Sequence, residues 1–90
     1  MVDEEEVAKT IIEITKKMEF LINDTSVPKN VRSAISEAKG HLDSKEGNLI
    51  KISSAIYSID SISNDINLPP QARAAVWGIM SMLESIKTSN

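Results

Sequence analysis

Few residues of this chain are suited to chemistry, and the best of them come in pairs. Asp24 and Asp65 stand at matching places before a proline, and each is followed eight residues later by an arginine, Arg32 and Arg73. Two carboxylates could serve as general acid and base, but that work requires a cleft and shifted pKa values. The Asn-Asp sequences that hold them, with Thr, Ser and Pro alongside, are instead turn chemistry, in which aspartate receives loose backbone N–H groups. Arg32 and Arg73 fall early in helical stretches, where anions are favoured. Each also has its own preceding aspartate as a charge partner, so both pairs, Asp24 with Arg32 and Asp65 with Arg73, are read as structural. His41 is the single histidine, and a metal site needs three or four converging ligands. Glu4, Glu5, Glu6 and Glu13 lack the Gly-bearing, Asp/Asn-rich loop of a calcium site. Gly40 and Gly47 form no phosphate-cradling pattern. No cysteine is present, which removes thiolate nucleophiles, thiolate zinc sites and disulfides. The expectation is no catalytic residue, no cofactor and no metal, and so not an enzyme.

The elements that carry these residues read as four helices. Val7, Ile11, Ile14, Met18 and Leu21 recur at helical spacing, with Asp3 and Glu6 as a capping box at the start. After a loop over 24–27, Pro28 opens a second helix with the stripe Val31, Ala34, Ile35, Ala38 and Leu42. Gly40 offers a stop, yet Leu42 extends the stripe past it. A third helix begins near Ser44 or Glu46, with Asp43 and Glu46 as a second capping box and the stripe Leu49, Ile52, Ile56, Ile59 and Ile62. Pro69-Pro70 opens the fourth, with Ala72, Val76, Ile79, Leu83 and Ile86, before a fraying tail at Thr88-Ser89-Asn90.

These helices form an internal repeat. Asn23 to Ile35 recurs as Asn64 to Val76 at an offset of 41 residues without a gap, and Ile11, Ile14, Met18 and Leu21 land on Ile52, Ala55, Ile59 and Ile62. Residues 4–42 and 44–87 are then two copies of one antiparallel helical hairpin within a single all-α domain spanning 1–90. The period and the two-helix unit resemble HEAT repeats, in which an Asp near the turn and an Arg early in the second helix interact. That resemblance implies such a role for Asp24 with Arg32 and Asp65 with Arg73. Two hairpins can close into a bundle or stack as a slab. The run Asn-Asp-Thr-Ser-Val-Pro-x-Asn-Val-Arg (23–32), together with Ala55-Ile56 through Ile59-Asp60 to Asn64-Asp65-x-Asn-Leu-Pro, is also similar to a small archaeal family of uncharacterised proteins. The resemblance covers most of residues 7–86. It implies an all-helical domain in an archaeal cytoplasm and brings no activity with it.

Composition narrows the functional classes. Ten basic and 13 acidic residues leave a net charge of −3, which argues against nucleic-acid binding as the main task. The loose basic group Lys29, Arg32, Lys39 and Lys45 keeps a nucleic-acid-associated accessory role as the alternative. No apolar run reaches the roughly 18 residues of a membrane span, and the acidic beginning is unlike a signal peptide, so a cytoplasmic protein is expected. The fourth helix stands out. Trp77, Met80 and Met82 flank its stripe, so it is apolar over more than one face, and Arg73 lies one turn before Trp77. A wide apolar arc is either central in the core or covered by a partner, and Trp and Met favour interface centres. Arg73, Trp77, Met80 and Met82 are therefore the candidate partner-binding residues. The leading expectation is a non-enzymatic interaction or self-association module, for instance a homodimer through the fourth helix. No small-molecule ligand is implied.

Overall fold

Apolar stripes at helical spacing bury themselves when each is turned toward the same centre, and this chain does so four times. A computed structural model describes residues 4–88, with helices α1 (Glu4–Ile22), α2 (Lys29–Leu42), α3 (Asn48–Asp60) and α4 (Pro70–Thr88). The first capping-box residue, Asp3, and the tail residues Ser89 and Asn90 lie outside the described residues. α1 is packed against α2 and α4, and α3 against α2 and α4, while neither α1 and α3 nor α2 and α4 pack on each other. The four helices thus close into a ring around one contiguous core, a bundle rather than a two-layer slab.

The starts and stops have local causes. Pro28 precedes α2 in an extended conformation, and its carbonyl accepts the Arg32 N–H at 3.0 Å. Pro70 is the first residue of α4, where a missing N–H costs nothing, and the Pro69 carbonyl accepts the Arg73 N–H at 2.9 Å. α2 runs past Gly40 to Leu42, because Ala38 and Leu42 are both buried and hold the last turn on the core. α3 starts later than expected, at Asn48, with Gly47 as N-cap and no side-chain cap. The anticipated Asp43–Glu46 box does not form. Asp43 instead closes α2, giving its backbone N–H to the Lys39 carbonyl, and the Glu46 N–H turns to the Ser44 hydroxyl at 3.4 Å.

The expected stripes of α1 and α4 are buried throughout. That of α2 holds except that Ala34 is half-buried. In α3 the stripe is rotated. Ile52, Ala55, Ser58 and Ile59 face inward, Ile56 is half-buried, Leu49 is exposed, and Ile62, also buried, lies in the turn after the helix. The repeat register explains the rotation. Each of Ile11, Ile14, Met18, Leu21, Val27, Val31, Ile35, Ala38 and Leu42 is buried, and so is the residue 41 positions further on in every case, from Ile52 and Ala55 to Ile79 and Leu83. Ala55 occupies the inward place because it stands where Ile14 stands in the first half.

Candidate functional site

The two turns come first, because they hold the residues best suited to chemistry. Asp24 accepts the Ser26 backbone N–H at 2.9 Å and the Ser26 hydroxyl at 2.6 Å on one carboxylate oxygen. In the second turn Asp65 accepts the Asn67 backbone N–H at 2.8 Å, and its other oxygen accepts the side-chain amide of Asn30 at 3.0 Å. Both are Asx turns, in which the carboxylate replaces a backbone acceptor two residues on. These bonds favour the ionised form and hold both carboxyl groups below their ordinary pKa. For Asp24 the chief cause is the Ser26 hydroxyl, and for Asp65 the Asn67 N–H followed by Asn30.

The arginines do not close ion pairs with these carboxylates. Arg32 directs its Nε–H to the Val27 carbonyl at 3.1 Å, and Arg73 its Nη2–H to the Asp65 carbonyl at 3.4 Å. The eight-residue interval explains the difference. An arginine at the start of the second helix of each hairpin meets the rim of the turn, where carbonyls point outward, while the carboxylate is already folded onto its own N–H donor. Each arginine still lends a weak charge effect that lowers its aspartate further. The bond from Asn30 to Asp65 has no counterpart in the repeat logic and ties the turn of one half to the other.

The remaining titratable groups are scattered. Lys39 lies 3.2 Å from Asp43 and 3.7 Å from Glu19, and the Asp43 carboxylate, the nearer, raises its pKa. His41 stands 3.8 Å from Glu37, one turn away. Among the described residues no group of three or more His, Cys, Asp or Glu side chains converges in a way that could hold a metal ion. No helix among them is long and apolar enough to cross a membrane.

The fourth helix divides its unusual residues between two flanks. Trp77 is 60% exposed and so is not part of the core. With half-buried Met80 it lines a hollow facing α3, beside Asp60, Ser63, Ser81 and Glu84. Met82 is on the other flank, facing α1. There it lines a groove of about 750 Å³ with Ala74, Ala75 and Gly78, opposite Glu13, Lys16, Lys17 and Phe20 of α1. Phe20, 77% exposed, is a surface residue that its hydrophobicity alone does not single out. The available signal was only that it falls outside the stripe that holds Met18 and Leu21; that the small residues Ala74, Ala75 and Gly78 stand opposite it is seen in the structure alone. Arg73 stays at the turn.

The architecture therefore defines an all-helical four-helix protein with exposed large apolar side chains on several elements, among them Tyr57 of α3, Phe20 of α1 and Trp77 of α4. The chain belongs to the uncharacterised protein family UPF0147, whose sequence model matches residues 1–86. Relatives include the UPF0147 protein of Methanocaldococcus jannaschii, 41% identical over 78% of this chain and 76% of its own length, and that of Sulfurisphaera tokodaii, 36% identical over 94% and 92%. The fold is also similar to the crystal structure of a protein of unknown function, MMP1188, with a TM-score of 0.83, 33% identity and coverage of 97% of both chains. These relatives place the chain in an archaeal, all-helical family to which no activity is attached.

Proposed function

We propose that this protein is a non-enzymatic protein-interaction module of the cytoplasm, with α4 as its docking element. The observation that carries the reading is the exposure of Trp77. A tryptophan left 60% exposed beside half-buried Met80 has the composition of an interface centre, where aromatic and Met side chains are enriched. Phe20 of α1 is another exposed ring, across the groove from the opposite flank of α4. The alternative role beside nucleic acid has less support. Of the four basic residues around α2, Lys39 is engaged by Glu19 and Asp43, and Arg32 by the Val27 carbonyl, and the net charge is −3.

Trp77→Ala tests the reading. The variant is expected to keep the helical circular-dichroism spectrum and its urea midpoint, since exposed substitutions shift stability by only about 0.5 kcal/mol. It should lose retention of lysate proteins after nuclease treatment. Full retention of lysate proteins by the variant, unfolding of the variant, or loss of all wild-type protein binding on nuclease treatment would each overturn the proposal.

A further inference from the structure

The groove between α1 and α4 carries a more specific inference, which rests on the reading of α4 as the docking element. We infer that its occupant is a second copy of this chain, laid antiparallel across the groove about a two-fold axis over Gly78.

Three observations converge on that axis. The first is charge. Along its length the α1 wall of the groove carries Glu13, then Lys16 and Lys17. Such an order is self-complementary under one operation only, a two-fold rotation between Glu13 and the lysines, which sets each Glu13 against the lysines of the other copy and forms the pairs twice. The second is register. α1 and α4 run antiparallel, because Phe20 faces Ala74 and Ala75 while Glu6 and Lys9 face Ser85 and Ile86. At equal helical rise, the point on α4 opposite the centre of the Glu13–Lys17 segment is Gly78. The third is Gly78 itself. It sits inside a helix, where glycine is less favourable than alanine. Its φ is not positive, and a Cβ placed there would meet nothing within 4 Å. The protomer has no steric need for glycine at this position, nor at Gly40 of α2, but Gly78 lines the groove, and an axis over it brings two α4 backbones together, each at its narrowest point.

The same rotation carries Phe20 of each copy toward residues near Lys9 and Thr10 of the other. There a second hollow, walled by Met82, Ser85 and Ile86, continues the groove toward the start of α1. An exposed aromatic knob and a neighbouring apolar hollow on one face meet the requirement of an isologous interface, in which one patch is its own complement.

The experiment is sedimentation or light scattering on the full chain over a micromolar to millimolar dilution series. The wild type should reach the dimer mass. Gly78→Ala is the discriminating variant, because it should raise the urea midpoint of the protomer and yet raise the dimer dissociation constant. Charge reversal by E13K, or by K16E/K17E, should weaken each homodimer about tenfold or more. An equimolar mixture of the two variants should restore dimers, since every pair is then opposite in sign. A wild type that stays monomeric throughout overturns the second-copy inference. If such a monomer still holds a protein partner through Trp77, the broader interaction reading survives alone. A dimer indifferent to Gly78→Ala and to both charge reversals places the interface elsewhere and also overturns it.

Discussion

The α2–α3 and α1–α4 seams occupy the same place in the repeat, yet one is closed and the other is open. Shifting Glu13, Lys16 and Lys17 by 41 residues gives Ser54, Tyr57 and Ser58, and shifting Glu37 and His41 gives Gly78 and Met82. Those residues line the two corresponding clefts, of about 350 Å³ between α2 and α3 and about 750 Å³ between α1 and α4. The helices of the first pair are also the more closely packed. The cause lies in the side chains. Along α3 the seam offers Ser53, Ser54 and buried Ser58, small enough for α2 to approach. Along α1 the equivalent places hold Ile12, Glu13 and Lys17, longer side chains of which the charged ones must keep their ends in water, so α4 is held off and its Ala74, Ala75 and Gly78 remain uncovered. A duplicated framework can thus pack one of its two equivalent seams closely and leave the other uncovered.

The core common to both halves should be the costliest place to disturb. Met18→Ala and Ile59→Ala remove equivalent buried side chains, and each should lower the unfolding free energy by about 2–5 kcal/mol in urea titration. Markedly unequal losses would break the equivalence of the halves. Exchanging seam residues sharpens the comparison. Ser58→Lys forces a long side chain into the closed seam and should cost about 1–3 kcal/mol by overpacking. Lys17→Ser at the open seam should change stability by no more than about 0.5 kcal/mol. If the two exchanges cost the same, side-chain length is not what separates the seams.

The turns provide the smallest contrast. Asp65→Ala should lower the melting temperature more than Asp24→Ala, because Asp65 also holds Asn30 from the other half. Both carboxylates have pKa values below the ordinary one in the folded state. Their contribution is therefore complete above the ordinary carboxylate pKa and fades as pH falls through the folded value. The gap between wild type and either variant should narrow on acidification, and a gap that widens would contradict the carboxylate bonds described.

Much of this frame was legible in the sequence, and the misses have definite physical reasons. Hydrophobicity favoured Leu49 and Ile56 for the inner face of α3, whereas the alignment of the repeats pointed to Ala55 in place of Ile14. The alignment had the truer register, because a core built twice fixes direction more firmly than side-chain size does. The turn aspartates were recognisable from the Asn-Asp pair four residues before a proline. The hydrogen bond from Asn30 to Asp65 was not, since it joins residues 35 apart with no periodic signal. The apolar excess of α4 could be read along one helix, but its division between two flanks could not. That division depends on which neighbour each residue faces, and only closure of the ring decides it. The groove at Phe20 was hidden for the same reason.

Closure has a topological consequence as well. The hollow where Glu6 and Lys9 meet Ser85 and Ile86 brings the first turns of α1 beside the last turns of α4. The link between the halves, residues 43–47, is largely exposed. A chain opened at that link and rejoined between α4 and α1 would run through the same ring from a different starting point. Because each half presents its core at the same register, the order in which the two halves are synthesised is not encoded in the packing, and the circularly permuted protein should reach the same bundle.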